Sequence, residues 1–151
     1  MKLIKKIVLG LLVILVAIQF IRPGKNISAG PFVNSIDKHY PVPKDVQAIL
    51  KRSCYDCHSN NTYYPWYNNI QPVAWLLAHD VNEGKEDLNF DEFSNYSSSQ
   101  KREKFDKLTD EVKDGEMPMS IYTVIHRDAV LSEAEKQSLI TWANGLKGTL
   151  N

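Results

Sequence analysis

The chain has 151 residues, room for one modest domain, with 18 Lys/Arg set against 18 Asp/Glu. The balance is uneven, because from Asn26 onward thirteen basic residues face all eighteen acidic ones, a net charge of minus five. So acidic a region argues against nucleic-acid binding, which needs a basic footprint.

Met1 to Lys6 carries three lysines, and Ile7 to Ile21 is apolar apart from Gly10 and Gln19. At about 1.5 Å per residue this run covers about 22 Å of the roughly 30 Å hydrocarbon layer. It suits a signal-peptide core or a short membrane anchor. A cleaved signal should close on small residues spaced like Ala-x-Ala. The nearest candidate, ISAG, has Ile27 where a small residue belongs, and Arg22 with Pro23 follows the apolar run at once. Residues 1–25 are therefore read as an uncleaved anchor, a transmembrane helix rather than a removed signal sequence. The lysine flank orients it as a single pass through the cytoplasmic membrane, with the remaining chain facing the periplasm.

Residues 26–42, holding Gly30, Pro31 and Pro41, read as a linker, and residues 43–151 as the domain. A first helix begins near Pro43, where proline suits the first turn and Asp45 suits the positive helix end. Val46, Ile49 and Leu50 form one stripe, and Cys54 falls on the same face. Ala74 to Glu83, between Pro72 and Gly84, is a second helix. Lys101 to Asp114 is a third, with Phe105, Leu108 and Val112 at helical spacing and Gly115 just past its end. A fourth starts at Ser132, where Ser-Glu-Ala-Glu is a capping box, and Leu139, Ile140, Trp142, Ala143 and Leu146 form its apolar face. No run alternates long enough for a strand. The fold class is all-α with long loops, a pattern in which a large apolar cofactor would help offset the entropy of ordering irregular chain.

The two cysteines lie in RSCYDCHSN, with His58 directly after Cys57. A structural zinc needs four ligands, and no second cysteine pair exists; His39, His79 and His126 are scattered. A thioredoxin-like pair needs a βαβ setting that is not visible. A disulfide across so small a loop gives little stabilisation. The remaining reading is C-x-x-C-H, the attachment signature of a c-type haem. Cys54 and Cys57 would each add to a vinyl group along one porphyrin edge, and His58 would ligate the iron. An electron carrier usually needs a sixth ligand. Met117, in DGEMPMS and before Pro118, is the choice, ahead of Met119 and then of His126 or His79. The aromatic stretch NTYYPWYNNIQPVAW reads chiefly as core, with tyrosine and tryptophan also able to wall a cofactor.

These residues resemble the bacterial haem-binding-domain family, short membrane-tethered chains related to monohaem cytochromes c. The matching segments are CYDCHSNNTYYPWYNNIQPVAW, EGKEDLNFDEF, GEMPMSIYTVIHRDAVLS and Trp142. The resemblance implies Cys54 and Cys57 as attachment points, His58 as proximal ligand and Met117 as distal ligand. It also implies a fold similar to class I cytochrome c, with first and last helices packed together. The expected function is that of a monohaem c-type cytochrome, one covalent haem c per chain, passing electrons between redox partner proteins at the outer membrane face. No nucleophile or acid–base constellation suggests an enzyme. The alternative is a haem-based sensor or gas-binding module with a labile sixth ligand.

Overall fold

A computed structural model describes residues 2–150, and they are all-helical. The α-helices are α1 (Lys2–Ile18), α2 (Ile36–His39), α3 (Lys44–Ser53), α4 (Tyr55–His58), α5 (Val73–Asp87), α6 (Ser98–Asp114), α7 (Ser120–Ile125) and α8 (Glu133–Lys147). Short 3-10 turns cover Trp66–Asn69, Phe90–Asn95 and Arg127–Ala129. Regular structure therefore occupies much of what reads from sequence as long loops.

The longer helices start and stop where local chemistry dictates. In α3, Pro43 precedes the first turn, Asp45 sits at the positive end and Lys51 and Arg52 at the negative end. Reciprocal capping boxes open α6 (Ser97 with Gln100) and α8 (Ser132 with Glu135). Gly115, at φ 79°, closes α6 in the left-handed conformation that glycine adopts without penalty. The sequence reading started α6 three residues late, at Lys101, because Ser-Ser-Ser offers several caps.

α6 lies along α8, and their facing stripes form the core with α3 and the 88–93 segment. Phe105 packs on Phe93 with ring centroids 5.0 Å apart and meets Trp142 edge-on at 5.6 Å. Phe90, Phe93, Phe105, Leu50 and Leu139 are fully buried. α3 also packs on α8, joined at the rim by Arg52 Nη2 donating to Glu135 Oε1 at 2.7 Å. The first and last helices of the domain thus meet.

Two expectations need correction. Among the described residues no helix is long and apolar enough to cross a membrane. α1 has 17 residues, about 26 Å at 1.5 Å each, and its first turns carry Lys2, Lys5 and Lys6. It ends before Gln19, whose side chain exchanges hydrogen bonds with the Gln71 backbone at 2.9 and 3.2 Å. The transmembrane helix, and with it the single-pass placement at the cytoplasmic membrane facing the periplasm, does not hold. Residues 26–42 are tied to the helices that follow. Ile36 is fully buried, the Asn26 side chain bonds Ser59 and Thr62, and the Trp142 indole donates to the Pro41 carbonyl.

Candidate functional site

The C-terminus of α3 runs directly into α4. Cys54 ends α3, its N–H donating to the Leu50 carbonyl at 2.9 Å. The Cys57 and His58 N–H groups both donate back to the Cys54 carbonyl, at 3.2 and 2.9 Å. One tight turn thereby gathers two thiols and an imidazole, since residues three and four apart share a helix face. The turn is pinned from outside: Thr62 Oγ1 donates to the Asp56 carbonyl at 2.6 Å, and the Tyr63 N–H to Asp56 Oδ1 at 3.1 Å. On its other side α5 passes at Gly84, where an added Cβ would stand 2.9 Å from the Cys57 carbonyl oxygen. Gly84 therefore does not end its helix as the sequence suggests. The helix runs on to Asp87, and the glycine serves close approach.

His58 Nδ1 lies 2.9 Å from the Leu88 carbonyl oxygen, which can only accept, so Nδ1 carries the hydrogen. That fixes the tautomer and leaves the Nε2 lone pair free for a metal. Burial lowers the imidazole pKa, with the Leu88 carbonyl opposing, so the ring is held toward the neutral form a ligand needs. Phe90 meets the ring edge-on at 6.4 Å. Cys54 and Cys57 are free thiols, not a disulfide. Burial pushes each thiol up to about 12, so both are held protonated. Among the described residues no group of three or more His, Cys, Asp or Glu could hold a metal ion, as a zinc site would require.

Three adjoining clefts of about 240, 140 and 100 Å³ surround this turn. The 140 Å³ cleft is lined by Cys54, His58, Leu88, Phe90, Leu108 and Met117, among others. The 100 Å³ cleft brings together Cys54, Cys57, His58, Met117 and Met119. Met117 therefore shares two clefts with His58, and Met119 shares one. His126 lines only the 240 Å³ cleft, with Nε2 2.5 Å from the Tyr67 hydroxyl. His79 lines none of the three, is 61% exposed and pairs with Glu83 at 3.3 Å. Of the aromatic stretch, Tyr63 and Trp66 are exposed, and Tyr63 and Tyr67 line the 240 Å³ cleft. Trp75 ties α5 to the end of the N-terminal segment by donating to the Ile21 carbonyl at 3.0 Å.

The strap carrying Met117 hangs from α6: the Glu116 and Met117 N–H groups both donate to the Glu111 carbonyl, at 2.9 and 3.2 Å. Neither Leu88 nor Gly84 stands out in the sequence as a site residue. The first contributes a carbonyl that every residue has, and the second only its lack of a side chain. Two thiols and an unprotonated imidazole nitrogen on one turn, apolar walls from Leu88, Phe90 and Leu108, and a thioether across from them suit an iron porphyrin.

The family described as haem-binding domain matches residues 13–145. No curated protein and no solved structure matches the chain.

Proposed function

The chain belongs to the haem-binding domain family, and we propose that it works as a monohaem c-type cytochrome, an electron carrier rather than an enzyme. Cys54 and Cys57 would hold one haem by thioethers, and His58 and Met117 would ligate the iron. In each attachment the cysteine sulfur bonds one vinyl carbon and the thiol hydrogen goes to the other, with no net oxidation. When bound, haem supplies a reversible one-electron Fe(III)/Fe(II) couple.

The observation that carries this reading is the His58–Leu88 hydrogen bond beside two free thiols on the same turn. A carbonyl acceptor on Nδ1 orients the ring and raises the basicity of Nε2. Met117, sharing both clefts with His58, favours six-coordination, and a thioether ligand raises the reduction potential. The apolar walls from Leu88, Phe90 and Leu108 would limit water around a bound haem, which would exchange electrons with redox partner proteins.

Absorbance spectra of the haem-loaded protein, reduced and oxidised, test the proposal. Low-spin bands in both states, unchanged on adding carbon monoxide, are expected. Rapid carbon monoxide binding to the reduced protein would replace the carrier with a gas-binding module whose sixth ligand is easily displaced.

A further inference from the structure

The peptide unit joining Leu88 to Asn89 is held at both ends. Its carbonyl accepts the His58 Nδ1 hydrogen at 2.9 Å, and its N–H donates to the Tyr96 hydroxyl at 3.0 Å. Neither group has another protein partner among the described residues. The bond is trans, so carbonyl and N–H point in opposite directions across one rigid plane. Both residues are buried. Tyr96 and His58 are therefore linked through a single amide, one on each side of it.

Building on His58 as the ligand of a haem iron, we propose that Tyr96 is a positioning residue for it, setting through this amide how strongly Nδ1 is hydrogen-bonded. The plane cannot turn without breaking one bond or the other. Pairing the N–H also polarises the amide and makes its carbonyl the stronger acceptor. A stronger acceptor on Nδ1 makes Nε2 the more basic donor and favours Fe(III) over Fe(II).

The surroundings keep Tyr96 in place for this role. Its ring meets Phe93 edge-on at 5.9 Å and lies 4.5 Å from Lys104 Nζ, and its N–H donates to the Phe93 carbonyl. Lys104 also donates to the Asp87 carbonyl, one peptide before the unit that faces His58. The Asn89 side chain is committed elsewhere, donating to Asn60 Oδ1 and accepting from the Asp91 N–H, so it cannot replace the hydroxyl. Without that hydroxyl the buried Asn89 N–H loses its partner. A hydroxyl that did no more than satisfy this amide would affect stability and leave His58 unchanged.

Tyr96→Phe removes the hydroxyl and keeps the ring. In the reduced, haem-loaded protein the His58 Nδ1–H proton should move upfield in the NMR spectrum, and the reduction potential should rise above that of the parent. Placing 3-fluorotyrosine at position 96 retains a hydroxyl that is a poorer acceptor, so both quantities should shift the same way by less. An unmoved proton and potential in both variants, whatever their stability, would overturn the proposal, as would shifts in the opposite direction. If the His58 ring protons of the parent lack the upfield displacement that a porphyrin ring current gives an axial ligand, ligation by His58 fails and this role of Tyr96 fails with it. A displaced ring whose Nδ1–H ignores both substitutions removes the role of Tyr96 alone.

Discussion

Gly84 on α5 lies against the backbone of Cys57, so close that a Cβ would stand 2.9 Å from the Cys57 carbonyl oxygen and 3.0 Å from its Cβ. Both sides of this contact are main chain or its first side-chain atom, so nothing can rotate away. Gly84→Ala is expected to cost about 1–3 kcal/mol, the usual penalty of overpacking. It should also reduce the fraction of protein carrying haem, because the turn bearing Cys57 and His58 is what must move. Denaturant unfolding together with the haem-to-protein absorbance ratio measures both. An unchanged unfolding midpoint would show that the helices separate freely.

The two methionines of the strap should behave differently. Met117→Ala is expected to lower the reduction potential on the order of 0.1 V, within the roughly 0.8 V that axial ligands control. It should also open the reduced protein to carbon monoxide. Met119→Ala should leave the potential nearly unchanged. Redox titration of the two variants decides this, and the reverse pattern would move the sixth ligand to Met119.

Phe105 joins α6 to the aromatic core and contacts both Phe93 and Trp142. It is fully buried. Phe105→Ala should destabilise the domain by about 3–5 kcal/mol. Urea unfolding gives the difference directly, and a loss below about 1 kcal/mol would mean that the core is packed elsewhere.

Much of this architecture was legible from residue spacing. The Val46, Ile49 and Leu50 stripe marked α3, the Ser132 and Glu135 pair marked the start of α8, and Gly115 marked the end of α6. Cys54, Cys57 and His58 could be singled out as candidates because they form one contiguous motif. Contacts made by atoms common to all residues, or by residues far apart, were not. The Leu88 carbonyl is 30 positions from His58, and Tyr67 pairs with His126 across 59. Helix α7 is only six residues long, so Ile121, Val124 and Ile125, though at helical spacing, span too little chain to mark a helix. Gly84 was misread because a glycine that ends a helix and one that admits a neighbour look the same in sequence. The membrane reading followed hydropathy, flanking lysines and the lack of a cleavage site, none of which could show that the helix stops at Ile18.

The α3–α8 rim should show in the pH dependence of stability. The Ser132 backbone N–H, the Arg52 guanidinium and the Ser132 hydroxyl hold the Glu135 carboxyl down from its ordinary 4.5 to about 2. Because the folded state releases this proton more readily than the unfolded chain, the contribution is full above about 4.5 and is lost as pH falls through about 2. Glu135→Gln should therefore be less stable than the parent near neutrality, with the gap closing across that window. Thermal unfolding at stepped pH measures it, and a gap independent of pH would contradict the assignment.

The most direct test of thioether attachment at Cys54 and Cys57 is the intact mass of haem-loaded protein after denaturation and acid–organic extraction. The predicted result is a chain heavier by one iron porphyrin, and a chain without that mass when both cysteines are changed to serine. Recovery of the bare polypeptide mass, with all haem in the organic phase, would contradict the account.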